Sequence, residues 1–226
     1  MRSARAVQLF RPRGPVVVEL EQLQALRGAH PEYAEQVLLQ GEELVRLAGL
    51  GDVDGVAQLA LGCREGELLS WSVARMFKAA CAAGHVAMVR FMCENGVDKQ
   101  HPGLRQLLHA LVSECEHGEG VAALAKVAPV LVRELGFEVN AMRPGDGYTP
   151  LHLACLSAQP RLFKLLVLLG ADVNAVANDD SLPATCAARA AAAATSAREV
   201  VGAGEITDCL RRLGASSEIE YVSSCG

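Results

Sequence analysis

The sequence predicts an all-α fold, a helical solenoid of about five helix-turn-helix repeats, and three observations carry that prediction. Turn and helix-end residues recur at a fixed step, with Pro150 to Pro183, Asp146 to Asp179 and Gly51 to Gly84 each 33 apart. The stretch from Gly145 to Ala175 holds a turn, a capped helix start, a second apolar helix and a terminal loop in one short unit. The 226 residues are 51% hydrophobic but only 4% aromatic, which suits a long core of alanine, leucine and valine. A fixed step of this length marks stacked repeats, each too small to bury its apolar face alone.

In the clearest unit, Thr149 has a hydroxyl able to accept from an orphan amide of the first turn. Pro150 follows at the first helical position, where its missing N–H costs nothing. Leu151, Leu153, Ala154 and Cys155 give this first helix an apolar face with small residues, so a neighbouring helix can approach closely. The second helix carries Leu162, Phe163, Leu165, Leu166 and Leu169, apolar on more than one face, as packing between two neighbours requires. Gly170 ends it, because glycine takes the left-handed conformation without a Cβ penalty.

With Thr149-Pro150-Leu151-His152 at its start and Gly170-Ala171-Asp172-Val173-Asn174 at its end, the unit closely resembles the ankyrin repeat family. The resemblance implies a protein-binding solenoid whose inter-repeat loops project as β-hairpin-like fingers. It also implies that His152 ties an adjacent loop carbonyl through a ring N–H, in place of metal or catalytic work. Carried along the chain, it divides residues 41–217 into approximate repeats 41–72, 73–101, 102–142, 146–177 and 179–217. Residues 1–40 are then a basic arm with capping helices at Glu19–Leu26 and Pro31–Leu39, and 218–226 form an acidic tail.

The repeats depart from the pattern in ways that locate insertions. In the last, Pro183 is kept while the capping Thr and the His are replaced, and the second helix closes 44 residues after its predecessor instead of 33. The 11 extra residues fall within Ala190–Glu205, where the alanine run predicts a lengthened first helix ending near Ser196 or Arg198. The third repeat aligns Leu108, His109 and Ala110 with Leu151, His152 and Leu153, and carries 9 extra residues around Glu116–Ala123. The second keeps Ala80, Cys81, Gly84 and His85 but replaces the Thr-Pro-Leu-His start with Arg75, Met76, Phe77 and Lys78. The first and last are the most degenerate, as end units with one solvated face should be.

Composition removes several classes of function. Apolar runs such as Leu165–Leu169 are far below the roughly 20 residues that cross a bilayer, so a soluble protein without membrane association is expected. Net charge is −5, and no arginine or lysine stripe interleaves with aromatics, so no nucleic-acid binding is expected. Eight scattered cysteines form no Cys-x-x-Cys pair, and Cys81, Cys93, Cys155, Cys186 and Cys209 occupy positions that want a small hydrophobe. Reduced thiols in a reducing compartment follow. Cys115 and His117 lack a second ligand pair, and Gly202-Ala203-Gly204 lacks a phosphate-binding lysine, so neither metal nor nucleotide is expected. With no convergent catalytic groups, the chain is read as a non-enzyme without cofactor or small-molecule substrate.

The N-terminus adds a localisation signal. Arg2, Arg5, Arg11 and Arg13 precede the first acid, Glu19, which is the composition of a mitochondrial transit peptide. A basic disordered arm, or a segment that packs on the first repeat, is the reading preferred over targeting, with Pro12 and Pro15 stopping any helix early. Cytoplasmic residence is expected, with mitochondrial and nuclear residence as alternatives.

Family resemblance places the fingers at Gly66–Val73, Val97–Leu104, Asn140–Tyr148 and Asn174–Leu182. Tryptophan, tyrosine and arginine dominate binding hot spots, so Trp71, Arg75, Arg143 and Tyr148 are the expected anchors. His101, Asn178 and Asp180, with Asp179, are expected on the rim. The expected activity is that of an adaptor or recognition subunit for a protein partner. A fixed structural subunit of a large assembly is the alternative.

Overall fold

In the computed structural model, residues 24–25, 27–62, 70–98, 100–101, 103–115 and 119–216 are described. The expected helix at Glu19–Leu26 lies largely outside them, as do the arginines of the arm, His117 and residues 217–226. Among the described residues there is helix and turn but no strand. No described helix is long and apolar enough to cross a membrane.

The chain divides into two compact units, one of residues up to Leu107 with Ala122–Val130, the other of Leu108–Val121 with residues from Leu131 on. In the first, α1 (Pro31–Leu50) pairs with α2 (Val53–Gly62), and α3 (Ser70–Ala83) with α4 (Val86–Glu94). First helix stacks on first helix and second on second. Val37, Leu44 and Ala48 of α1, Phe77, Ala80 and Cys81 of α3, and Met88 and Met92 of α4 are buried between them. Gly41 faces Ser72, whose Cβ would lie 3.5 Å from an added Cβ, so α1 and α3 approach closely. His85 Nε2 donates to the Gly49 carbonyl at 3.1 Å and ties the turn before α4 to the end of α1.

α1 corrects the expected domain boundary. The arm helix at Pro31–Leu39 and the first helix of the first repeat are one continuous 20-residue helix, so no boundary falls at residue 40. Gly41 was the only residue there able to interrupt it, and the roughly 1 kcal/mol it forfeits in helix propensity is offset by the close approach of α3.

α5 (Leu107–Glu114) and α6 (Glu119–Pro129) straddle the division between the units. Pro129 at the end of α6 has no N–H and crowds the carbonyl four residues earlier, and the chain passes into a π-helical stretch over Val130–Glu134. The expected insertion at Glu116–Ala123 is thus helical from Glu119 on, not a loop.

The second unit holds α7 (Pro150–Leu156), α8 (Pro160–Leu168), α9 (Pro183–Ala193) and α10 (Ala197–Arg212). They pair and stack as in the first unit. All of Pro150–Cys155 is buried in the 7-residue α7, and Leu162, Phe163 and Leu166 of α8 are buried as expected. Leu168 is 74% exposed, so α8 does present one solvated edge. The alanine-rich insertion differs from expectation. α9 has 11 residues against 7 in α7, and α10 has 16 against 9 in α8, so four inserted residues lengthen the first helix and seven the second. α9 stops at Ala193 because a capping box intervenes: Glu199 accepts from the Ser196 amide at 3.2 Å while Ser196 Oγ accepts from the Glu199 amide at 3.3 Å.

Candidate protein-binding surface

Two successive loops of the second unit, 140–149 and 174–182, are joined into one polar platform. Within the first, the Arg143 amide donates to the Tyr148 carbonyl and the Gly147 amide to the Arg143 carbonyl, both at 2.9 Å. This is a hairpin-like turn without strand pairing. Gly147 has φ +72° and a Cβ there would lie 2.6 Å from Asn178 Oδ1, so only glycine meets both demands. Asn178 reaches back across the gap, donating through Nδ2 to the Gly145 carbonyl and through its amide to the Asp146 carbonyl, both at 2.9 Å.

The start of α7 is locked by His152. The Thr149 amide donates to Nδ1 at 3.1 Å, so the ring proton sits on Nε2, which donates to the Ser181 carbonyl of the next loop at 3.1 Å. Thr149 Oγ1 lies 2.9 Å from Nδ1, so Thr149 and His152 are joined in a capping box at the start of α7. His109 repeats the forward tie, with Nε2 donating to the Tyr148 carbonyl at 2.8 Å. Burial is the main cause that lowers the pKa of both rings, so both stay neutral. The carboxamides Asn140 and Asn174 make a second pair of ties, from Asn140 to Gly170 and Asp172 and from Asn174 to the Ser216 amide.

Tyr148 is only 7% exposed, which corrects its expected role as a contact anchor. Its ring stacks on His152 with centroids 5.3 Å apart. Its hydroxyl donates to Asp179 Oδ2 at 2.9 Å and accepts from Arg189 Nη1 of α9 at 3.1 Å. Tyr148 therefore positions other groups. Arg143 keeps a half-exposed guanidinium 6.0 Å from the Tyr148 ring centroid and paired with Asp146, whose carboxyl that pairing holds down at about 2. Asn178, Asp179, Asp180 and Arg189 are exposed around it, with Met142 at 54% and Val176 at 43% on the loops.

The other expected contact residues, Trp71, Arg75 and His101, belong to the first unit. Trp71 is in the first turn of α3, which begins at Ser70, so it does not stand on a finger loop as expected. Arg75 is exposed on α3 and forms an ion pair with Glu42 of α1, its Nη2 donating at 3.0 Å. His101 is half-buried, with Nδ1 accepting from the Gly103 amide at 3.0 Å. Arg189 was missed because it lies 41 residues from Tyr148, inside an alanine run that reads as plain helix. The signal available for it was its place one turn after Cys186, on the flank of the buried face of α9.

The cysteines behave as core residues where buried. Burial raises the thiol pKa of Cys81 and Cys155, and pushes Cys186 up to about 11. Cys93 and Cys209 are half-buried, less enclosed than expected. Among the described residues, no three His, Cys, Asp or Glu side chains gather where they could hold a metal ion.

A family model described as Ankyrin repeats (3 copies) matches residues 44–177, more than half of the chain. The chain belongs to the ankyrin repeat family. No curated protein matches it. Ankyrin repeats mediate protein–protein interaction, and the all-α ankyrin repeat architecture accounts for the recurring histidine and asparagine ties, each of which fastens one repeat to the next.

Proposed function

We propose that this protein is a non-catalytic adaptor or recognition subunit that binds a protein partner through the 140–149 and 174–182 loops and the adjoining face of α9. One observation carries the reading. Arg143, Asp146, Tyr148, Asp179 and Arg189 are cross-linked into a fixed polar frame beside the exposed apolar side chains Met142 and Val176. Rigid polar groups around accessible apolar ones lose little entropy on binding. In this reading Arg143, Asn178, Asp180 and Arg189 touch the partner, and Tyr148 holds them in place. Nucleic acid, membrane and small-molecule substrate have no part in it. Cytoplasmic residence fits the reduced-thiol composition, and fractionation of the tagged full chain checks it against mitochondrial import.

The test is affinity purification from the native cell with quantitative mass spectrometry, comparing the full chain with a Met142→Asp, Val176→Asp variant of unchanged circular dichroism. Loss of a partner at least tenfold supports the surface. Retention of every partner by the variant overturns it. Recovery at fixed stoichiometry through high-salt washing favours a structural subunit over a reversible adaptor.

A further inference from the structure

A cleft of about 880 Å³ opens in the second unit at the turn between α7 and α8. That turn, Ser157–Arg161, forms its floor, and the first turns of α10 form one wall, with Val121 at its edge. The wall exists because of the insertion: α10 runs seven residues longer than α8, and its added N-terminal turns overhang the floor. At Gly202 the helix touches that floor so closely that a Cβ would collide with the Ala158 carbonyl oxygen. A regular repeat has no such wall.

The cleft is lined by two arginines and two glutamates, and the glutamates are engaged within the chain. Glu199 is committed to the cap of α10, accepting from the amides of Thr195 and Ser196 at 2.8 and 3.2 Å. Glu205 pairs with Lys164 at 3.5 Å. Arg161 and Arg198 line the same cleft, are exposed, and meet no carboxylate among the described residues. Each is the second residue of its helix, α8 and α10 respectively, where the positive end of the helix dipole disfavours a cation. Local rules broken twice around one cleft, with no compensation among the described residues, point to an anion supplied by a partner. Pro160 and Val201, the latter 60% exposed, line the same cleft.

We propose that this cleft binds an acidic linear segment of a protein partner, with carboxylates at Arg161 and Arg198 and an aliphatic side chain on Val201 and Pro160. A volume of several hundred cubic ångströms suits a few side chains, and an inorganic anion would leave the apolar part wet. The proposal rests on the protein-binding reading above but uses other residues, since the cleft lies where α7 ends and those loops lie where it begins.

The experiment titrates the 15N-labelled full chain with an eight-residue peptide of alternating glutamate and leucine, in parallel with its lysine-for-glutamate counterpart and with inorganic phosphate. The acidic peptide should shift the amides of Arg161, Arg198 and Gly202, and the lysine peptide should not. An Arg161→Glu, Arg198→Glu variant should weaken it at least tenfold, with Arg161→Gln, Arg198→Gln intermediate. The Met142→Asp, Val176→Asp variant should bind the peptide as the parent does. Equal binding of both peptides, unchanged affinity in the arginine variants, or phosphate displacing the peptide at matching affinity would each overturn the proposal. If only the loop variant loses the native partner, the cleft is wrong and the loop surface stands; if only the arginine variant does, the reverse holds.

Discussion

The helix starts at Thr149-Pro150 and Leu182-Pro183 sit 33 residues apart with the same proline and different chemistry around it. In α7 the third helical residue is His152, which accepts from the Thr149 amide and donates forward to the Ser181 carbonyl. In α9 it is Thr185, whose hydroxyl accepts from the Leu182 amide and donates to the Leu182 carbonyl, both at 2.8 Å. Both residues satisfy the amide that precedes the helix. Only the histidine is long enough to reach the next repeat. The comparison separates two tasks that one residue performs in α7: ending a loop, which a small acceptor also does, and coupling repeats, which His152 does through its second ring nitrogen.

If that separation holds, His152→Ala has the largest effect. It leaves a cavity and strands the Thr149 amide and the Ser181 carbonyl in a buried place, and should cost about 3 kcal/mol, read from the shift of the urea midpoint. Equal losses for His152 and Thr185 variants would break the comparison. The two imidazoles also set a pH dependence. Their pKa values are lowered below the ordinary 6.5 by burial, so the unfolded chain binds protons that the folded chain refuses. Stability should be complete above that value and decline as pH falls through it, and the decline should shrink in His152→Ala. Asp146, held at about 2, acts only in a much more acidic range.

Gly202→Ala comes next. It probes the last repeat where its helices were lengthened, forcing a methyl into the Ala158 carbonyl, and should cost about 2 kcal/mol in the same measurement. Thr185→Ala should cost about 1 kcal/mol, the usual scale for a lost helix-start bond, with the loops of the preceding repeat unchanged in amide chemical shift. The smallest effect has the opposite sign. Ala158 adopts φ +50° in the turn where α3 and α4 use Gly84, so Ala158→Gly should relieve left-handed strain and raise stability by about 0.5 kcal/mol after the added freedom of the unfolded chain. A loss instead would show that the Ala158 methyl packs usefully against α10.

Much of the architecture was legible because it is periodic. Pro150 and Pro183 mark the starts of α7 and α9, Gly51 and Gly84 the turns before α2 and α4, and His109 aligns with His152 in sequence and in bonding. The division of the alanine run was also legible in principle, since Ser196 and Glu199 have capping-box spacing, but high alanine propensity argued for a longer first helix. Propensity is uniform along such a run, whereas a cap acts at one residue and ends it.

The candidate surface was read less well, because residue type signals hot spots without signalling exposure. Tyr148 and Arg143 share the 140–149 loop as expected from the sequence, yet Tyr148 is buried against His152, and Arg189 joins them from a helix that begins 35 residues later. By itself the sequence determined the repeat step, the helix starts and the histidine ties, since each depends on residues within one or two repeats. Tertiary structure decided that Tyr148 is buried against His152, that Arg189 reaches its hydroxyl from α9, and that α10 closes over the α7–α8 turn at Gly202. Those outcomes depend on which side chains stacking covers and which charges it leaves unpaired, and no local pattern carries that information.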